Sequence, residues 1–426
     1  VWETQFVDRI VELKSTAERV FREESGRILA SLIRISGSFD LAEEAMQEAF
    51  AAALIHWPER GAPEKPGAWI MAVAQRKLID AVRRSSTRTD KHDALQHESI
   101  RAANREETPV PESQVDYPDD RLRLMFTCCH PALNREAQVG LTLRTLGGLT
   151  TTEIARAFVM SEPALAQRLV RAKKKIREAN IPYEVPETSA LAERLDGVQS
   201  VLYLIFNEGY VATEGGQLVR GDLCAEAIRL ARILHELMPG EPENAGLLAL
   251  MLLHDSRRLA RANSAGELIT LEEQDRSLWN RSQIEEGIAL LQRALRQHAP
   301  GPYQLQAAIA AIHCEAVRAD DTDWPQIAAL YAELARLAPT PVVALNHAVA
   351  VAMTDGYDRG LAMIDQLGNE GGLEQYYLYH AARADLLRRL KKHDEARAAY
   401  AKALEHATNH VERNYLQRRC AELAQH

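Results

Sequence analysis

Apolar residues recur at three- and four-residue intervals along almost the whole chain, while runs of alternating Val, Ile, Thr and aromatics are nearly absent. That 3.6-residue period predicts helix throughout, so the expected fold class is all-α. Helices are expected from about Glu3 to Arg84, a polar stretch from Ser85 to Tyr117, helices again from Pro118 to Asn180, and a long helical array from Ser189 onward. The polar stretch is poor in large apolar residues, mixed in charge and punctuated by Pro109, Pro111 and Pro118, which oppose continued helix. The corresponding domains are 1–85, a linker over 86–117, then 118–185 and 186–426.

The array carries a repeat. A small or apolar position is followed by apolar residues about four and seven on and a proline or turn about twelve on, with phase marks at Ala227, Gly287, Ile327, Gly360 and Ala396. The last three stand 33 and 36 residues apart, close to the 34-residue tetratricopeptide period, and the earlier gaps are 60 and 40. The long gap needs an insertion from about Ala262 to Ser282. An irregular solenoid of stacked helix pairs is expected, with Tyr377 to His410 its clearest copy and with His380 and Ala384 replacing the large aromatic and glycine of the repeat.

Residues 146–178, LGGLTTTEIARAFVMSEPALAQRLVRAKKKIRE, have helix-turn-helix spacing. Thr151 or Thr152 is expected to cap a short helix facing inward with Ile154, Ala155 and Phe158. The chain then turns at Val159, where a glycine is usual, and Ser161 caps a second helix with Pro163 in its first turn. Leu165, Leu169 and Ala172 would be buried, and Ala164, Gln167, Arg168, Arg171, Lys174 and Lys175 would project. Such a helix fits the major groove with Gln167 and Arg168 at base edges and later basic residues near phosphates. The alternative is an ordinary helical hairpin with a solvated basic face.

A second basic element is GAWIMAVAQRKLIDAVRRSS, residues 67–86. Trp69, Val73, Leu78 and Val82 are expected near one side, with Arg76, Lys77, Arg83 and Arg84 around the rest, a combination suited to unstacked bases and their phosphates. Trp69 and Trp57 are better read as core residues than as base stackers, since tryptophan is largely buried on average. Upstream, SGSFDLAEEAMQEAFAAALIHWP gives an acidic and amide face of Asp40, Glu43, Glu44, Gln47 and Glu48, with Leu41, Ala45, Phe50 and Leu54 on the packing side. That face suggests a basic protein partner.

Charge sharpens the picture. Net charge is −9, yet residues 1–185 hold 27 Lys+Arg and 27 Asp+Glu, so the surplus acid lies in 186–426. Six basic against two acidic residues fall between Arg76 and Lys91, and six against one between Arg168 and Glu178. Two local basic faces on a neutral background suit a DNA binder. The longest apolar runs, such as Val342 to Met353, fall short of a bilayer span, which argues against a membrane protein. The N-terminus lacks signal-peptide features, so a cytoplasmic protein is expected. Five cysteines, two adjacent and three scattered, suit free thiols.

No phosphate loop, nucleophile constellation or closed set of metal ligands appears, so no enzyme activity, metal or cofactor is expected. Cys128-Cys129-His130 is better suited to helix packing than to a tetrahedral metal site. His254-Asp255 lacks the further ligands a phosphohydrolase would need. LYLIFNEGY, residues 202–210, either closes an interface between the halves or ends a helix with its polar groups satisfied.

The order SGSFDLAEEAMQEAF, PGAWIMAVAQRKLIDAVRR, polar linker, LTTTEIARAFVMSEPALAQRLVRAKKKI resembles the extracytoplasmic-function sigma factors of bacterial RNA polymerase, the first two stretches being similar to region 2 and the last to region 4. DDRLRLMFTCCHPALNREAQVGLTLRTLGGL and LYLIFNEGY, with the helical tail, resemble the subgroup carrying a tetratricopeptide-like extension. The resemblance implies a factor that binds core RNA polymerase and directs it to a two-part promoter. It implies that Asp40, Glu43, Glu44, Gln47 and Glu48 dock on the polymerase clamp helices. Arg76, Lys77, Asp80, Arg83 and Arg84 would meet the minus 10 element, the loop Glu59 to Gly67 would accept a flipped base, and Ser161 to Arg171 would read the minus 35 element. Arg76 departs from the asparagine of many relatives. The linker would thread along polymerase, and the extension would regulate activity or bind a protein or peptide partner. A helix-turn-helix regulator with a sensing solenoid, not a polymerase subunit, is the alternative.

Overall fold

The computed structural model describes residues 2–88, 120–158, 160–211, 219–263 and 265–423, except the side chains of 2–15, 18, 84–88, 157 and 188. The described residues form eighteen α-helices and three short 3-10 turns, with a single isolated bridge between Ala262 and Leu268 and no strand. The all-α expectation is met. Helix α3 runs on to Arg88, and the rest of the expected linker, 89–117, lies outside the described residues, as do Val159 and the side chain of Arg84. Two compact units are present: one covers Val1–Arg156 and Met160–Val201, the other Leu202–His426 with Ala157–Val159.

The first unit opens with α1 (Trp2–Ser36), α2 (Phe39–Arg60) and α3 (Pro66–Arg88), which pack on one another. Ser38 caps α2 by accepting from the Leu41 N–H. Its buried stripe of Ala42, Ala45, Ala49 and Ala53, at three- and four-residue spacing, lets neighbouring helices approach closely, and Phe39, Met46 and Trp57 are buried beside it. Gly61, with φ of 82°, ends α2 in a conformation side chains resist. Next come α4 (Arg121–Cys128), α5 (Arg135–Thr145), α6 (Thr151–Ala157) and α7 (Glu162–Glu178). Asn134 caps α5 and Ser161 caps α7.

Helix α8 (Thr188–Tyr210) passes from the first unit into the second, which continues as α9 (Gly221–Leu237), α10 (Pro242–Asp255), α11 (Arg281–Leu295), α12 (Pro302–Glu315), α13 (Trp324–Leu337), α14 (Pro341–Asp355), α15 (Tyr357–Glu370), α16 (Tyr377–Arg389), α17 (His393–His406) and α18 (His410–Glu422). From α9 onward each helix packs on the next, and prolines open α10, α12, α13 and α14. The five phase marks fall on α9, α11, α13, α15 and α17. A Cβ on Gly287 would lie 2.9 Å from Leu253 Cγ, and one on Gly360 only 2.3 Å from Ala352 Cβ, so the small residues mark helix crossings. In place of the insertion expected from about Ala262 to Ser282, the described residues between Ser256 and Asn280 hold no α-helix.

Candidate nucleic-acid interface

Helices α6 and α7 form the helix-turn-helix. The cap of α6 is Thr150, one residue before the expected Thr151 or Thr152: its hydroxyl accepts the Glu153 N–H at 3.1 Å while Glu153 Oε2 accepts the Thr150 N–H at 2.8 Å. Ile154 and Ala155 are buried and Phe158 is half-buried. On α7, Leu165, Leu169, Ala172 and Ile176 are buried, and Leu165 packs on Gly140 of α5. Ser161, Pro163, Ala164, Gln167, Arg171, Lys174 and Lys175 are exposed and Arg168 half-exposed, so the side chains assigned to DNA share the open side of one helix.

On α3 the buried side is Ile70, Met71, Ala74 and Leu78, whereas Trp69, Val73 and Val82 stay partly exposed. Trp69 packs edge-on against buried Trp57, ring centroids 5.8 Å apart at 62°, which fixes one edge of its ring while the residue remains partly open. Arg76 and Arg83 are exposed, and Lys77 is tied to Glu48 of α2 at 3.1 Å.

On α2 the expected packing side needs correction. Leu54 is 50% and Ile55 65% exposed, because the alanine stripe rather than the larger residues turns inward. The open face runs Asp40, Glu44, Gln47, Ala51, Leu54 at three- and four-residue steps, so an acidic and amide surface ends in an apolar one. Glu43 and Glu48 are half-buried at its flank.

Helices α1 and α2 also meet the helix-turn-helix half of the same unit. Lys173 Nζ of α7 lies 2.6 Å from Glu43 Oε2 and 3.7 Å from Asp40 Oδ1, and Arg177 reaches Asp40 at 4.0 Å. On α1, Gly26 lies against the Leu146 backbone, where a Cβ would come within 2.9 Å of the carbonyl oxygen. The fully buried carboxylate of Asp120 accepts from Arg34 at 2.8 Å and from Arg123. Tyr183 donates its hydroxyl to the Ala30 carbonyl at 2.7 Å, and burial beside Asp120 pushes that phenol well above its ordinary range.

A family model of sigma-70 region 2 matches residues 20–88, and one of sigma-70 region 4 matches 123–176. The chain belongs to the sigma-70 family of sigma factors. Such a factor binds core RNA polymerase and promoter DNA and directs promoter-specific initiation without covalent chemistry of its own. Residues 194–295 match a family of unknown function (DUF6596). An uncharacterized protein of Rhizobium meliloti (strain 1021) is 45% identical over 399 residues, 93% of each chain. No solved structure matches.

In this sigma factor, α1–α3 are region 2 and α4–α7 region 4, so the close contacts above join the two regions. Lys173 was hidden in the sequence by its basic neighbours. Its spacing, four after Leu169 and three before Ile176, places it on the packing flank of α7 and sets it apart from Arg171, Lys174 and Lys175. Leu54 and Ile55 were missed as surface because apolar residues on a helix are first assigned to the core.

Cys128 and Cys129 are buried at the end of α4, their thiols bonded to Thr145 and Thr142 at 3.3 and 3.6 Å. No group of three potential metal ligands occurs among the described residues. LYLIFNEGY ends α8, with Glu208 paired to Arg220 at 3.2 Å. Among the described residues no helix is long and apolar enough to cross a membrane.

Proposed function

We propose that this sigma factor is of the extracytoplasmic-function type, with region 2 in 1–85, region 4 in 118–185 and a tetratricopeptide-like extension from 186 onward. Asp40, Glu43, Glu44, Gln47 and Glu48 dock on the polymerase clamp helices, with Leu54 and Ile55 adding an apolar anchor at the end of that face. Trp69, Arg76, Lys77, Arg83 and Arg84 meet the minus 10 element. Ser161, Pro163, Ala164, Gln167, Arg168 and Arg171 read the minus 35 element, and Lys174 and Lys175 hold phosphates. The observation that carries this reading is the pair of open faces: Asp40, Glu44 and Gln47 on α2, and Gln167, Arg171, Lys174 and Lys175 on α7.

Regions 2 and 4 joined by contacts of hydrogen-bond length describe a resting form. Promoter elements centred near minus 10 and minus 35 are about 25 base pairs apart, roughly 85 Å along the duplex at about 3.4 Å per pair. Engaging both requires the Lys173–Glu43 contact to open, which frees Glu43 for polymerase at the same moment. The extension serves as a docking module for a protein or peptide partner, a role supported by its chain of stacked helices.

Charge reversal at Glu43 and Glu44 tests the reading. Loss of co-purification with core polymerase, with binding to a minus 35 duplex retained, is the expected result. Retained co-purification contradicts the docking assignment, and lost duplex binding contradicts the separation of the two surfaces.

A further inference from the structure

Three features of the second unit that initiation leaves unused, the end of LYLIFNEGY, the His254-Asp255 pair and the insertion after α10, converge on one centre. Arg257, Arg261 and Arg276 are all more than nine-tenths buried, at 6%, 8% and 9% exposure. None has a carboxylate within ion-pair distance among the described residues. The neighbouring acids hold other partners: Asp255 accepts from Gln283 at 2.9 Å and faces Arg258 at 3.4 Å, and Glu412 accepts from Tyr377, so Glu412 acts on Arg261, and Asp321 on Arg276, only beyond ion-pair contact.

Aromatic rings and carbonyls hold the guanidiniums in place. Arg261 lies 3.8 Å over the Tyr210 ring and donates to the Tyr210 carbonyl. Arg257 and Arg276 stand 5.8 and 4.6 Å from the Trp279 ring. Arg276 donates at 2.6 Å to the carbonyls of His313 and Ala316 at the end of α12, and Arg257 reaches His254 Nδ1 at 2.7 Å and the Tyr210 hydroxyl at 3.3 Å. Two buried N–H donors remain without an acceptor, Arg257 Nε and Trp279 Nε1. The histidines add no further positive charge: burial and the adjacent arginines hold His254 well below its usual range and His313 at about 4, so both are neutral at pH 7.

Buried guanidiniums with no carboxylate in ion-pair contact, beside orphaned donors, are costly, and one group relieves both. We propose that the centre formed by Tyr210, His254, Arg257, Arg261, Arg276 and Trp279 binds a small oxyanion, a phosphoryl or carboxylate group, whose oxygens accept from Arg257 Nε and Trp279 Nε1. All six residues lie within 194–295, the stretch matched by the family of unknown function. The site is independent of the roles given to regions 2 and 4.

The test uses the full-length protein, melted in inorganic phosphate or acetate against chloride at equal ionic strength. One oxyanion should raise the melting temperature in proportion to the logarithm of its concentration above Kd, by roughly 5 to 10 °C at about a hundred times its Kd, and calorimetric comparison of the two separates a phosphoryl from a carboxylate ligand. A logarithmic rise that begins near Kd distinguishes binding from the general stabilisation by surface exclusion that phosphate gives any protein, which grows steadily with concentration. Trp279→Phe keeps a ring beneath the guanidiniums and removes Nε1–H. Arg257→Lys keeps the charge and removes Nε–H. Each should weaken binding about tenfold. If Arg257→Lys fails to fold, Trp279→Phe decides alone. The proposal is overturned if neither anion exceeds chloride, or if binding persists unweakened in the folded variants.

Discussion

Lys173 Nζ of α7, the helix proposed to read DNA, stands 2.6 Å from Glu43 Oε2, at the edge of the face proposed to dock on polymerase, with both side chains largely buried. The other oxygen of that carboxylate, Glu43 Oε1, is buried without a hydrogen-bond partner, so the pair is only half satisfied. A cation from polymerase can complete the carboxylate's hydrogen bonds, which favours exchange over retention. Lys173→Ala is therefore expected to tighten binding to core polymerase about three- to tenfold, the effect of an ion pair worth about 1 kcal/mol. Titration of fluorescently labelled protein with core enzyme measures it. Unchanged or weaker affinity means that the contact does not compete with polymerase.

Asp120 holds two guanidiniums with a fully buried carboxylate, while Arg34 and Arg123 are each about 38% exposed. A fully buried pair that loses one partner costs about 3 to 5 kcal/mol, but solvent screens the half-open arginines here. Asp120→Ala is expected to cost about 2 kcal/mol in urea unfolding of the first unit. A change below about 0.5 kcal/mol, the range of an ordinary surface substitution, contradicts the structural role given to this carboxylate.

Four thiols should be inert in the native protein. Burial pushes Cys129 and Cys224 up to about 12 and raises Cys128 and Cys314, while Cys420 alone is half-buried. The thiolate is the reactive species, so an aromatic disulfide reagent at pH 8 should modify one thiol quickly and four more only after unfolding. Cys420→Ser should abolish the fast phase. Rapid modification of Cys128 or Cys129 counts against the buried end of α4.

His313 gives the second unit a pH signature. Its folded-state value of about 4, set by burial and then by Arg257 and Arg276, lies below the unfolded 6.5, so the unfolded chain binds the proton first as pH falls. Stability is full above about 6.5 and declines from there to about 4, with roughly 3 kcal/mol at stake for this side chain. Melts between pH 7 and 4 should show that slope, and His313→Gln should reduce it by the His313 share, the buried His254 supplying the remainder. An equal slope in the variant removes His313 as the cause.

The helical period and the capping residue Ser161 were legible in the sequence because they depend on neighbours a few residues apart. So were the buried set Leu165, Leu169 and Ala172 and the phase marks at the helix crossings. Thr150 was displaced by one position because three consecutive threonines offer equivalent hydroxyls, and only the reciprocal bond with Glu153 selects among them. Leu54 was placed inward because side-chain size outweighed the alanine stripe that turns to the core. Lys173–Glu43 spans 130 residues, and Arg257, Trp279 and Arg276 meet only through an insertion without helical period, so no local pattern reveals either.

Transcription in vitro with purified core polymerase and a library of two-part promoter templates tests the central claim most directly. Addition of the protein should give specific initiation from a subset of templates, lost on charge reversal at Glu43 and Glu44 or on replacing Gln167 and Arg171. Folded protein that supports initiation from no template, or variants that initiate as well as the parent, would contradict it.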